Sequence, residues 1–467
     1  TAESAWRIAL EKGLSLRALG RTDEAATTLE GALTLVESLR QDQFDDFKSW
    51  ILAQRRAAYV ALFELRLAQG DMRAAFDVFE RTQGRTFLDA FAAAGSAQAG
   101  TYVEAGAKIA SLKKLYPMLR ASPVVTALPL TGKRLAAEIA DDHVVGFFEG
   151  DKTLYIVEVA QGRPSIVAAP LSLTEVQALS ARFIESPGDG ALAERLGSLL
   201  FPERVLGKRG GKSERAVYLV PSASLARVPF GALRRDGRYL AEDVAFAQIP
   251  SANALVALRR RFQATEQNPR AAPVILADAT EDLPDARREA DEVTAQIAQH
   301  EMAPKVFVGK SADASRLQAA QGSSLLHLAV HSGVDAAGPW LAMSDRKVLP
   351  AELVSWRIAA DLVVLASCAS TATRDPGLWG SLVSAFLATG TPSVVGSLWS
   401  TKDNASRAFV HAFYAAGGAR DPLAGITRAQ RRWIAEKRPV EDWAAFAFYG
   451  PGAGSRSHRT LTIGGAP

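Results

Sequence analysis

Apolar positions fall into two textures along this chain. Over residues 1 to about 95 they recur with a helical period and no strand-like alternation, so the whole stretch reads as helix. Within it Gly13, Gly20, Ala25, Leu29 and Ala32 stand at offsets 0, 7, 12, 16 and 19. That spacing puts small residues where two antiparallel helices cross closely and a large one in the groove between them. The same offsets recur around Gly70, with Phe63, Ala75 and Phe79 in the matching places and Thr82 in the last. The pattern predicts two helical hairpins built alike.

Helix–turn–helix units of about 34 residues with such spacing are the signature of tetratricopeptide repeats, which stack into a superhelix. Gly20 and Gly70 lie 50 residues apart, so the first unit needs a longer second helix or an insertion. Two units are few for a solenoid, and the chain opens inside a helical pattern without an initiator Met. Both facts suggest a piece of a longer protein with further repeats. A linker with a bridging helix, running to Leu119, is expected over 96–135.

Beyond residue 135 the texture becomes that of an α/β domain. Val144–Phe148 and Thr153–Val159 read as a hairpin turning at Gly150, Pro164–Ala169 as a third strand, and Leu173–Ile184 as a helix. Further strands are expected at 216–220, 274–277, 305–308, 324–330, 362–367 and 393–398. Between them lie helical patterns at 252–262, 289–299, 380–389 and 404–415. Such alternation predicts a parallel sheet with helices on both faces. The expected domains are therefore helical repeats at 1–95, the linker at 96–135, and one large domain at 136–455. That domain divides into a pseudo-domain at 136–262 and a core at 263–455, and a tail follows at 456–467.

Composition narrows the function classes. The longest apolar runs, such as Ala57–Phe63, have 7 residues, far short of the 18 or more that a membrane span needs. No basic segment leading into an apolar one marks a signal peptide. A net charge of +4 and short basic clusters such as Arg259-Arg260-Arg261 argue against a nucleic-acid groove. The single cysteine cannot form an internal disulfide, so nothing in the fold asks for an oxidising compartment, and the expected location is cytoplasmic. No phosphate-binding Gly-rich loop, nucleophile elbow or zinc-spaced cluster appears, and no cofactor or metal is expected.

The candidate chemistry lies at two strand ends. Cys368 closes the buried run Leu362–Ser367, and His331 follows the run Ser324–Val330. Carboxyl ends of parallel strands are where open α/β sheets form their crevices, so a thiol and an imidazole placed there can meet as a cysteine–histidine hydrolase site. His327, four residues earlier in the same strand, points the same way as His331 but sits inside the strand. It is expected to be buried and hydrogen-bonded to backbone.

These pieces carry a family likeness. Glu80-Arg81-Thr82-Gln83-Gly84-Arg85-Thr86-Phe87-Leu88 after the repeats resembles the junction of TPR-linked CHAT proteins, caspase-like peptidases of the group that includes separase. The resemblance continues through Val220-Pro221-Ser222, Pro229-Phe230-Gly231-Ala232-Leu233, Ile249-Pro250-Ser251 and His327–His331. It runs on through Leu365-Ala366-Ser367-Cys368, Gly390–Trp399, Trp443-Ala444-Ala445-Phe446 and Tyr449-Gly450, and so covers nearly the whole chain in the family's order. The fold it implies is an α/β caspase-like sheet flanked by helices, preceded by an all-α tetratricopeptide-repeat region.

The resemblance implies a cysteine endopeptidase with Cys368 as nucleophile and His331 as general acid/base, acting in a setting such as bacterial defence or cell death. It implies backbone N–H donors for the oxyanion from Cys368 and from Ser332 or Gly333. Relatives usually have glycine directly after the histidine; here Ser332 stands there and the glycine comes one place later. Asp403 matches an acidic position that pairs a substrate Arg or Lys in basic-specific relatives, so Asp403 and Trp399 are the candidate substrate-binding residues. Read without the resemblance, Asp403 equally suits a helix cap before Asn404–Phe409. The expected partners are a protein substrate and a regulatory protein bound by the repeats, with no nucleic acid or membrane. The rival reading is an inactive scaffold that keeps the fold and binds partners.

Overall fold

A computed structural model of the chain describes residues 2–41, 51–95, 102–104, 125–127, 129–207, 215–298, 303–336, 338–366, 370–371 and 381–452. The chain forms two compact units. The first comprises Thr1–Asp142, Gly146–Leu173 and Pro250–Ala257, and the second His143–Val145, Thr174–Ile249 and Leu258–Pro467.

In the first unit, helices Ala2–Ala18 and Thr22–Gln41 form a hairpin, and Arg56–Ala68 with Met72–Thr82 forms another. Both close in the same way. Gly20 (φ 74°) and Gly70 (φ 76°) take the left-handed conformation that glycine alone adopts without strain. The next N–H, of Arg21 or Asp71, reaches back to the carbonyl of Leu16 (2.9 Å) or Arg66 (3.0 Å). The Asp71 carboxylate then caps the following helix by accepting the Ala74 N–H at 2.9 Å. A Cβ on Gly13 would stand 2.6 Å from Leu29 Cγ, so the small residue required by the spacing is where the helices cross.

Helix Arg85–Gly95 follows, and short strands β1 (Tyr102–Glu104) and β2 (Val125–Ala127) pair antiparallel. The bridging helix expected up to Leu119 lies outside the described residues. Strands β3 (His143–Glu149), β4 (Thr153–Ala160) and β5 (Arg163–Ser172) then lie side by side as the spacing predicted. The helical hairpins pack on them: Phe63 meets Phe148 with ring centroids 4.2 Å apart, and Gly146 leaves the space that Phe79 fills. Glu80, fully buried, accepts the N–H groups of Ala252 and Asn253, each at 3.0 Å, and the Asn253 amide at 2.9 Å. One carboxylate thus satisfies the first donors of helix Ala252–Thr265.

The second unit is built on a large mixed sheet flanked by helices. Its strands are β6 (Arg215–Val220), β9 (Val244–Gln248), β10 (Val274–Ala277), β11 (Lys305–Val308), β12 (Leu325–Ala329), β16 (Leu362–Leu365), β17 (Ser393–Ser397) and β18 (Phe446–Tyr449). They run in the order β11-β10-β12-β16-β17-β18-β9-β6. Separate small pairings join β7 (Arg234–Arg235) to β8 (Arg238–Tyr239), and β13 (Ser332–Asp335) to β14 (Gly338–Ala342) and β15 (Lys347–Val348). Strands β10, β12, β16 and β17 are parallel neighbours and buried along their length, which is why β10 and β16 read as unbroken apolar runs.

The alternation predicted a parallel sheet, and the observed sheet is mixed instead. Strand β18 runs antiparallel to β17, with Val395 opposite Phe448. Between them lie two long helices, Asp403–Ala415 and Pro422–Ala435, where a parallel crossover uses one. Two helices carry the chain out and back, so β18 starts from the edge where β17 ended.

Candidate active site

Strand β12 delivers both histidines and treats them differently. His327 is fully buried, paired in register with Ile275 of β10 and Val364 of β16. Its partners are side chains, where backbone was expected: the Tyr414 hydroxyl at 3.1 Å from Nδ1 and Glu289 Oε1 at 2.9 Å from Nε2. Both sides of β12 are occupied by ladder hydrogen bonds. The ring therefore finds its partners on helices Asp403–Ala415 and Pro284–Ile297.

His331 lies past the strand end, with 38% of its side chain exposed. Its carbonyl accepts the Ala342 N–H at 2.9 Å, which starts the β13–β14 hairpin, while its Nε2 stands 3.1 Å from Asp282 Oδ1. Asp282 belongs to the loop after β10 and also accepts the Thr280 hydroxyl. The Thr280 hydroxyl, with His331 beside it, holds the Asp282 carboxyl below the usual carboxylate range. Sequence reasoning missed Asp282. The one signal for it is its place just beyond the carboxyl end of a buried strand, which Asp278 and Glu281 share.

Cys368 lies outside the described residues. Its described neighbours in sequence are anchored on both sides. Before it, the Ala366 N–H donates to the Leu328 carbonyl at 3.0 Å, extending the pairing of β16 with β12. After it, Ser370 and Thr371 are buried against the end of β17. Ser397 donates its N–H to Ser370 Oγ at 2.8 Å, and its carbonyl accepts the Thr371 N–H at 3.2 Å and hydroxyl at 3.1 Å. Gly396 makes the approach possible, because a Cβ there would stand 2.8 Å from Ser370 Oγ.

Ser332 and Gly333 open β13. Gly333 faces Trp340 across the ladder, and a Cβ on it would stand 2.7 Å from the indole, so close packing against Trp340 accounts for the glycine. Lys347 Nζ lies 4.2 Å over that indole and 2.7 Å from Asp335. Asp403 is exposed in the first turn of helix Asp403–Ala415; the cap position belongs to Lys402, and no side chain bonds there. Asp403 is therefore not the cap that its neighbours in sequence allow. Trp399 donates its indole N–H to the Glu441 carbonyl at 3.2 Å. A cavity of about 30 Å³ lined by Phe230, Gln248, Gln430 and Phe446 contains none of these candidate residues.

Residues 190–451 match the CHAT domain family. Among solved structures the chain is similar to separase of Saccharomyces cerevisiae in its complex with securin. Two such structures give a TM-score of 0.56, with 12% and 13% identity, covering 96% of this chain and 40% of that chain. At that identity the likeness concerns the fold, and this chain spans 40% of the length of the separase chain. The Arg-specific cysteine proteinase gingipain R matches with a TM-score of 0.39 and 12% identity, over 59% of this chain and 72% of that one. No curated protein matches the chain in sequence.

Proposed function

The chain belongs to the CHAT domain family, and from that premise we propose that it is a cysteine endopeptidase acting on a protein substrate through His331 and Cys368. The observation that carries the reading is the position of His331: at the carboxyl end of a buried central strand, open to solvent, and tied to a carboxylate. The clasp of Ser370 and Thr371 on Ser397, just downstream of the chain's only cysteine, supports it.

A free thiol has a pKa of about 8.5, so it needs a cation nearby to supply thiolate at neutral pH. Protonated His331 is that cation. The Cys368 sulfur attacks the substrate carbonyl, an S–C bond forms, and charge develops on the carbonyl oxygen. Backbone N–H groups of Cys368 and of Ser332 or Gly333 receive that charge, each worth about 3–4 kcal/mol. As the C–N bond breaks, His331 passes its proton to the leaving amine. It then takes a proton from water, which hydrolyses the thioester and frees Cys368.

Asp403 and Trp399 are the proposed substrate contacts, with Asp403 pairing an Arg or Lys before the scissile bond. The helical hairpins are the proposed recruiting element for a protein substrate or regulator. Separase in the similar structures is held in a complex with securin.

The test is hydrolysis of a diverse peptide library. Cys368→Ala and His331→Ala should each abolish turnover while the proteins stay folded, and the double variant should lose little more than either single one. Turnover retained by Cys368→Ala refutes the assignment, since the chain has no second thiol. An inactive scaffold is the alternative, favoured by Ser332 standing where relatives have glycine. A thiol that alkylates slowly and a library left uncut would establish it.

A further inference from the structure

The loop that carries Asp282 is built with more care than a surface connection needs. It leaves β10 beside β12, where the Asp278 N–H donates to the Ala329 carbonyl at 2.9 Å. Asp278 (φ 47°) and Glu281 (φ 62°) both take the left-handed conformation, uncommon for residues with a side chain. The Asp278 carboxylate is buried and accepts the Leu283 N–H at 2.7 Å while pairing with the Arg287 guanidinium. The Glu281 N–H closes the turn on the Asp278 carbonyl at 3.1 Å. Arg287 also lies 3.9 Å from Glu281, so the charges around the loop are matched to one another. What the closed loop presents outward is Asp282. Thr280 donates to the same carboxylate oxygen, Oδ1, that faces His331 Nε2.

An exposed ion pair adds little to stability, and 62% of the Asp282 side chain is exposed. Stability therefore does not explain a loop shaped around it. We infer that Asp282 is a positioning residue for His331: it holds the imidazole through Nε2, which leaves Nδ1 as the nitrogen that takes up and releases the proton. The inference rests on the peptidase reading for its consequence, though not for its geometry. In the resting state Nε2–H donates to Asp282. When Nδ1 takes the thiol proton the ring becomes a cation beside an anion, and when Nδ1 gives that proton to the leaving amine the Nε2–H bond persists. The depressed carboxyl keeps Asp282 anionic across the neutral range. Removing the carboxylate leaves the ring without the partner that fixes its tautomer and its orientation.

Two readouts test this, one independent of turnover. In the full chain with ¹⁵N-labelled histidine, the His331 signal is identified by its loss in His331→Gln. Neutral wild-type His331 should carry its proton on Nε2. Asp282→Asn should weaken that preference, and Asp282→Ala should abolish it. In peptide hydrolysis, Asp282→Asn should reduce kcat about tenfold or more with KM within about twofold. Asp282→Glu should restore part of the loss, and Thr280→Val should act in the same direction more weakly. A folded Asp282→Ala in which the His331 tautomer is unchanged overturns the inference. If the His331 signal responds as expected but no peptide is cut by the wild type, the positioning contact stands and the peptidase reading falls.

Discussion

His327 and His331 differ by four positions in one short run and end in opposite situations, one sealed among Tyr414 and Glu289, the other at a strand end facing Asp282. The split was legible, because only the second lies beyond the strand. The partners were not, since Glu289 and Asp282 are 38 and 49 residues away in sequence. His327→Ala should therefore act on stability, leaving Glu289 buried without its donor at about 1–3 kcal/mol, and should change hydrolysis far less than His331→Ala. Matching kinetic defects in two variants that melt alike would mean the roles are reversed. Asp403 makes a sharper case at this scale. It sits exposed in a helix's first turn without capping it, so Asp403→Asn should change stability by only a few tenths of a kcal/mol, roughly its share of the helix dipole. If it reads the substrate, the same change lowers turnover of Arg and Lys peptides by about tenfold, 1.4 kcal/mol, and spares apolar ones. A wild-type preference for Leu or Met before the cut removes Asp403 from the pocket.

Elements are placed by single residues that let other parts approach. Gly396 is one: it admits Ser370 to the end of β17, and a methyl group there would also stand 2.8 Å from Val383 Cγ2. Gly396→Ala should cost about 1–3 kcal/mol of overpacking and depress hydrolysis beyond what the shift in melting temperature explains, because Ser370 follows the proposed nucleophile, Cys368, by two places. Equal losses of stability and activity would make the clasp structural only. Glu80 is the other. Its run Glu80–Leu88 was legible as a family motif, yet the reason for it is tertiary: the carboxylate satisfies the start of a helix more than 170 residues later. Burial pushes the Glu80 carboxyl up while three N–H donors oppose the shift. Glu80→Ala strands those donors and should cost about 2–3 kcal/mol, read by chemical denaturation.

At the scale of the whole chain, texture changes near residue 95 but contacts do not stop there. Within the first unit Phe63 and Phe79 pack on Phe148, Glu64 accepts the Tyr155 hydroxyl at 3.3 Å, and Glu80 holds helix Ala252–Thr265. Deleting residues 1–95 should uncover Phe148 and Tyr155 and leave helix donors unpaired. Each buried aromatic is worth about 1.5–3 kcal/mol, against a total stability of about 5–15, so the truncated chain should melt far lower or aggregate. A soluble truncation with an unchanged melting curve would contradict this. The sequence by itself determined the helical hairpins, the buried strands with their order along the chain, and the strand end at which His331 falls. Periodicity and local spacing govern these, and both act over a few residues. Only the tertiary structure decided that β18 turns antiparallel, that a glycine is needed opposite Trp340, that Ser397 clasps Ser370, and that Asp282 is the carboxylate facing His331. Those depend on which distant segments the packed sheet brings within bonding distance, and no local pattern along the chain encodes such a meeting.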